Sequence, residues 1–370
     1  MSIGRATISE LTERLEAAAE RLRAPVAFME VCGTHTVSAF RCGLHSMLPA
    51  NVKLLSGPGC PVCVTAQGDI DLMVQAAELP GVTFCTYGDM LKVPGTHGSL
   101  DAARGRGADV KIIYSTLDAV KWAVDHPGKQ VVLGAVGFET TTPATAAAIL
   151  HADRQHVGNF SVLASHKVLL PALRALLEDR QIQIAGLLCP GHASVILGSE
   201  AFRPLVDDYG LPCVVAGFEP EQMLAGIARL TEMVAASRPE LDNVYPQVVK
   251  PEGNPLARRI IASVFESASA NWRALGNIPG SGLAIRPQFS QFDAAKRFGL
   301  LAEDAPEPAG CRCGQVITGR CTPADCGLFG SRCTPMDPVG PCMVSSEGTC
   351  AAWFKYGRPR IAQPAGEAMQ

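Results

Sequence analysis

The sequence predicts an α/β protein with two similar open parallel-sheet domains, followed by a third, largely irregular and helical domain. Three observations predict it. Eight short apolar, β-rich runs recur at the spacing of strand–helix units, with helical patterns between them. The runs are continuously apolar rather than alternating, as expected of parallel strands covered on both faces. After about Ser237 this rhythm fades, and residues 311–350 hold seven of the fourteen cysteines.

The opening 25 residues read as an amphipathic helix of mixed charge, without the apolar stretch and small-residue cleavage site of a secretory signal. Strands are expected at 25–31, 52–55, 82–85 and 110–114, then at 130–136, 160–164, 184–188 and 212–216. Helical patterns separate them, including 69–78, 117–124, 143–151 and 169–178. A turn at DHPGK divides the strands into halves, giving domains at 1–126 and 127–238, with 239–370 as the third. One eight-stranded barrel is the rival arrangement. Comparable glycine-rich turns at the strand ends of each half favour two open sheets. Farther on, 252–274 reads as one long helix, 277–287 as a glycine- and proline-rich connection, 292–301 as a short helix and 303–310 as a proline-rich linker.

Composition excludes several classes. Hydrophobic residues make up 47% and charged residues 18%, the balance of a compact folded chain. A formal net charge of −3 leaves no electrostatic footprint for nucleic acid. No apolar run approaches the ~20 residues that span a bilayer. A cytoplasmic protein is expected, and in a reducing compartment clustered cysteines point to metal or redox duty rather than a disulfide framework. Isolated thiols such as Cys42, Cys85 and Cys213 read as small core hydrophobes.

Nearly every polar, thiol or glycine cluster before residue 225 follows the carboxyl end of a predicted strand, the edge at which open α/β sheets bind ligands. In MEVCGTHT, Cys32 and His35 can act as nucleophile and base, or as two ligands of one soft metal. In GPGCPVC, Cys60 and Cys63 form a CxxC that follows a strand and opens a helix, the arrangement of dithiol redox sites. Half a zinc site is the competing reading, but no second CxxC accompanies it. Glu139 in GFETTTP is a candidate acid or base, while the threonines after it can cap the helix opened by Pro143. His192, in CPGHASVI, is a candidate proton handler or simply a hydrogen-bonded histidine.

The cysteine-rich stretch has many prolines and glycines and few large apolar residues, so a metal or cross-links are expected to hold it. Zinc would favour paired CxxC knuckles. Irregular wide spacing suits an iron–sulfur cluster, whose four thiolates can come from loops of any length. Spacing alone does not choose four among Cys311, Cys313, Cys321, Cys326, Cys333, Cys342 and Cys350.

MEVCGTHT, GPGCPVC, GFETTTP, CPGHASVI and the tail CTPMDPVGPCMVSSEGTCAAW together resemble the HypD family of NiFe-hydrogenase maturation proteins, over essentially the whole chain. The family's tail pattern has four cysteines separated by fourteen, six and sixteen residues, which Cys311, Cys326, Cys333 and Cys350 fit. The resemblance therefore implies a 4Fe-4S cluster on those four, with Cys313, Cys321 and Cys342 as non-ligands. It also implies an iron-binding scaffold with redox activity, rather than a turnover enzyme, on which an Fe(CN)2CO unit is assembled. By the same resemblance the partners are the chaperone HypC, the cyanide donor HypE and, indirectly, the hydrogenase large subunit. Cys32 becomes the iron ligand, His35 its neighbour as ligand or proton donor, and Cys60 and Cys63 a dithiol exchanging electrons with the cluster. Glu139 and His192 become proton handlers. The alternative is a stand-alone iron–sulfur thiol/disulfide oxidoreductase.

Overall fold

The computed structural model describes residues 7–357. It contains two parallel sheets and one antiparallel hairpin. The eight expected strands all form: β1 (Val26–Glu30), β2 (Val52–Ser56), β3 (Val82–Thr86), β4 (Asp109–Ile112), β5 (Gln130–Gly137), β6 (Phe160–His166), β7 (Gly186–Pro190) and β8 (Cys213–Ala216). The helices expected between them form as Gln67–Ala77, Thr116–Asp125, Thr142–Arg154 and Leu169–Glu178. Strand β5, QVVLGAVG, is buried at every position after its first, which is why its sequence runs apolar without alternation.

The strands do not divide into contiguous halves at residue 126. β1 and β2 pair with the much later β7 and β8, and β9 (Leu241–Asn243) completes that sheet in the order β2-β1-β7-β8-β9. The other sheet, β4-β3-β5-β6, is formed wholly from the chain between β2 and β7. Apolar patterning marks a strand but carries no information on which neighbour it pairs with. The turn at DHPGK therefore suggested a boundary that the pairing does not respect.

The region after Arg238 also departs from expectation. Its first strand, β9, joins a sheet rather than opening a separate domain. The long helix expected over 252–274 stops at Val264, and β10 (Phe265–Trp272) turns back through β11 (Gly276–Ile285) as an antiparallel hairpin. In β10 the serines and alanines of FESASANW lie between buried Phe265 and Trp272, and small residues are as compatible with an exposed strand as with a helix. The short helix expected over 292–301 appears as Ala294–Phe298.

The N-terminal helix Ile8–Ala19 opens with a capping box between Thr7 and Glu10. Its apolar side, Leu11, Leu15, Ala18 and Ala19, is buried, and the helix lies against helix Pro220–Ala235, with Arg14 paired to Glu232. The first six residues of that predicted helix, and 358–370 of the predicted third domain, lie outside the described residues. No helix among the described residues is long and apolar enough to cross a membrane. Cys85 and Cys213 are fully buried in strands and Cys42 is half-buried, consistent with service as small apolar groups.

Candidate functional site

Each parallel sheet has one place where the chain leaves neighbouring strands in opposite directions, between β1 and β7 in one and between β3 and β5 in the other. Crevices at such points are where open α/β sheets bind ligands. Just past β1 come Cys32 and, in the first turn of helix Gly33–Arg41, His35; just past β7 comes His192, in helix Gly191–Leu197; just past β3 comes Asp89, and the loop after β5 carries Glu139.

Cys32 is the N-cap of helix Gly33–Arg41 and is 7% exposed. Its N–H donates to Glu30 Oε2 at 2.9 Å, and the Thr36 hydroxyl donates to the other carboxylate oxygen. Burial pushes the Glu30 carboxyl up to about 8, against the lowering effect of those hydrogen bonds. Burial first, and then the nearby Glu347, push the Cys32 thiol up to about 12.

The loop carrying the CxxC lies directly on Cys32. Gly33 N–H donates to Gly59 O at 3.0 Å, and a Cβ on Gly59 would collide with the backbone of Val31 and Cys32. Glycine is required there because two backbones touch. Cys60 caps the short helix Pro61–Val64 and is joined to Cys63 as a disulfide, with Cα atoms 5.3 Å apart. Cys63 N–H donates to Cys60 Sγ at 3.2 Å.

The third component comes from the far end of the chain. Ser345 Oγ lies 3.4 Å from Cys60 Sγ, and Thr34 donates to Glu347 Oε1 at 2.7 Å. A Cβ on Gly33 would meet the Glu347 Cβ at 2.5 Å. Asp89 anchors this 345–347 loop, accepting from Ser346 N–H at 2.8 Å and from the Ser346 hydroxyl at 2.7 Å. Farther along, helix Thr349–Tyr356 packs on helix Gly33–Arg41, with the rings of Phe40 and Trp353 5.4 Å apart.

The two histidines meet through Phe218, whose ring lies 4.9 Å from that of His35 and 4.0 Å from that of His192. His35 Nε2 lies 2.9 Å from Gly217 O, which can only accept, so Nε2 carries the hydrogen and the partnerless Nδ1 is left with a free lone pair. Burial holds the His35 pKa down at about 4, so the ring is neutral near pH 7. His192 is exposed, with Nδ1 3.5 Å from the Thr34 hydroxyl. Glu139 takes no part in these contacts. Its Oε1 accepts from Leu169 N at 2.9 Å at the start of helix Leu169–Glu178, and its buried Oε2 has no partner. Burial raises its pKa to about 7. Thr141 and Thr142, expected to cap the next helix, instead donate back to Phe138 O.

In the tail, Cys311, Cys326, Cys333 and Cys350 line one pocket, together with Cys313 and Cys342; Cys321 is outside that lining. Its walls are otherwise largely apolar, among them Val316, Leu328 and Met343. A Cβ on Gly340 would come within 2.7 Å of Cys311 Sγ. Burial and the neighbouring thiols raise Cys311 to about 12, since thiolates so close repel one another. Cys313, Cys333, Cys342 and Met343 share one apolar core with Cys60 and Cys63, so this segment does rest on hydrophobic packing. Among the described residues, no group of three or more His, Cys, Asp or Glu side chains is arranged to hold a single metal ion.

A family model described as "HypD: Hydrogenase formation hypA family" matches residues 6–357. The chain belongs to the HypD family. A hydrogenase maturation factor HypD of Escherichia coli (strain K12) is 43% identical over 350 residues, 94% of each chain. One from Azotobacter vinelandii is 44% identical over 364 residues, 96% of each chain. One from Rhizobium leguminosarum bv. viciae is 44% identical over 342 residues, 90% of this chain and 89% of its own.

In this HypD-family chain, Cys32 and the Cys60–Cys63 pair meet as neighbours, His35 and His192 meet each other across Phe218 with His192 near Thr34, and Glu139 stands apart. Sequence reasoning missed Glu30, Asp89, Ser345 and Glu347 as parts of the site. Glu30, Ser345 and Glu347 lie inside MEVCGTHT and the cysteine-rich tail, and Asp89 lies just past the third strand. What was lacking was any signal that the tail returns to MEVCGTHT.

Proposed function

We propose that this chain acts in hydrogenase maturation as a scaffold that holds an iron ion while its cyanide and carbonyl ligands are put in place. The observation that carries the reading is the convergence of the Cys32 turn, the CxxC loop and the 345–347 loop at one sheet edge. Membership of a family whose relatives are named hydrogenase maturation factors supports it. The iron is cargo, bound by the Cys32 thiolate and shared with a cysteine of HypC. HypE delivers cyanide, and the finished Fe(CN)2CO unit passes to the hydrogenase large subunit. Soft sulfur donors suit low-spin iron carrying strong-field ligands. His35 Nδ1 and His192 serve as proton acceptors beside it, and the setting is cytoplasmic.

Cys311, Cys326, Cys333 and Cys350 would hold a resident 4Fe-4S cluster. The donor set fits, because four thiols around one largely apolar pocket, Cys333 and Cys350 buried and Cys311 and Cys326 half-buried, repel one another as thiolates unless cationic iron offsets their charge. Such a cluster supplies electrons one at a time. Cys60 and Cys63 take up and release electrons as a disulfide–dithiol couple within the same core.

The disulfide beside a cysteine-lined pocket also favours a second reading, a stand-alone iron–sulfur thiol/disulfide oxidoreductase. Anaerobic purification with and without HypC, followed by iron, sulfide and zinc analysis and an infrared spectrum, separates the two. About four irons with matching sulfide, plus cyanide and carbonyl bands that vanish in Cys32→Ala, are expected. A cluster without those bands, in the presence of HypC and the cyanide donor, would favour the oxidoreductase. Zinc alone would reject the cluster.

A further inference from the structure

Ser345 stands where the dithiol, the Asp89 anchor and the Glu347 backbone meet. It is 1% exposed. Its Oγ lies 3.4 Å from Cys60 Sγ and 3.2 Å from Asp89 Oδ2, and it accepts from Glu347 N–H at 3.2 Å. A serine hydroxyl has one proton to donate. Glu347 N–H occupies a lone pair, so the single proton goes either to Asp89 or to Cys60. With Cys60 in a disulfide the sulfur is a poor acceptor, and the carboxylate takes the proton. After reduction a Cys60 thiolate is a charged acceptor and competes for it. Asp89 can release Ser345 readily, because Ser346 N–H at 2.8 Å and the Ser346 hydroxyl at 2.7 Å already donate to the same Oδ2.

We propose that Ser345 is a positioning residue for the dithiol, its hydroxyl turning from Asp89 to the Cys60 thiolate when the disulfide is reduced. The turn carries the redox state of Cys60–Cys63 into the 345–347 loop. That loop lies against Gly33 and Thr34 beside Cys32, so the iron-binding turn and the dithiol are coupled through one proton. The inference rests on the reading of Cys60 and Cys63 as a working dithiol.

The reduction balances with a thiol reductant such as glutathione. Two glutathione thiols become one glutathione disulfide, the Cys60–Cys63 bond breaks and takes up two electrons, Cys63 keeps one proton and the other leaves to solvent. The Cys60 thiolate that remains is held by Cys63 N–H, already 3.2 Å away, and by Ser345.

The test equilibrates the full-length protein with mixtures of reduced and oxidised glutathione, traps thiols by alkylation, and reads the Cys60/Cys63 peptide by mass spectrometry. Ser345→Ala is expected to shift the equilibrium toward the disulfide about tenfold, ~30 mV for a two-electron couple. Ser345→Thr, which keeps the hydroxyl, is expected to restore the wild-type value. Asp89→Asn weakens the competing acceptor and is expected to shift the equilibrium the opposite way, toward the dithiol. A merely structural role would move Ser345→Ala and Asp89→Asn in the same direction, and that result overturns the proposal. So does a Ser345→Ala value within twofold of wild type. Should Ser345→Ala fail to fold, Asp89→Asn still decides: a shift toward the disulfide, or no shift, overturns the proposal. If wild-type Cys60–Cys63 does not cycle with glutathione at all, the dithiol reading itself falls; if it cycles and the variants do not differ, only the role of Ser345 falls.

Discussion

Replacing Gly59 by alanine tests whether the CxxC loop rests on the Cys32 turn as described. The added Cβ would fall on the backbone N and Cα of Cys32 and the carbonyl carbon of Val31, all far inside the 3.0 Å that real Cβ atoms keep. None of these atoms is the end of a side chain that can swing away, so the two loops must part by about 1 Å. Overpacking of this kind costs about 1–3 kcal/mol, and weakening the bond from Gly33 N–H to Gly59 O adds about 1 kcal/mol. A loss of about 2–4 kcal/mol is expected by equilibrium urea unfolding. Cys32, 7% exposed in the native protein, should also alkylate faster. Gly105→Ala is the control, because its Cβ meets nothing within 4 Å at the end of helix Leu100–Gly105. It should be neutral or stabilise by up to about 1 kcal/mol. A Gly59→Ala protein as stable as Gly105→Ala, with unchanged Cys32 reactivity, would refute the contact.

Glu139, raised to about 7 by burial, binds its proton more tightly folded than unfolded, so its contribution to stability is present below the ordinary carboxyl value and is lost as pH rises through about 7. Glu139→Gln, which can still accept from Leu169 N, should therefore gain on wild type across pH 4.5 to 7 in thermal unfolding; a constant difference would contradict the assignment. His166, lowered to about 4 by burial and hydrogen-bonded to Thr145, acts in the opposite sense, adding stability as pH rises from 4 to 6.5. His166→Gln should flatten that rise in the same assay. Leu15→Ala should cost about 2–5 kcal/mol in urea unfolding, because Leu15 is fully buried in the core that includes Met223 and Leu224 of helix Pro220–Ala235. A negligible loss would mean the N-terminal helix does not pack there. Cys326→Ser should lower the iron and sulfide content of anaerobically purified protein while Cys321→Ser leaves it unchanged, since only Cys326 lines the pocket; equal loss in both would contradict that division.

By itself the sequence determined the strands and the helices between them, because burial on both faces forces a run such as QVVLGAVG to be apolar throughout. It also located Cys32 and the Cys60–Cys63 pair, since a thiol in a glycine turn at a strand end is a local feature. Only the tertiary structure decided that β1, flanked on one side by β2, has β7 on the other rather than β3 or β4. Pairing between strands about 160 residues apart leaves no periodic trace in either one. The long helix expected over 252–274 failed for a related reason: small residues fit an exposed strand as well as a helix, and the partner strand β11 decided between them. The 345–347 loop is the clearest case. Ser345, Glu347 and Asp89 are ordinary polar residues in sequence, and they enter the site because a backbone hydrogen bond, a carboxylate and a sulfur meet across more than 250 positions. Local chemistry can be read residue by residue, whereas the meeting of distant groups is fixed by the packing of the whole chain.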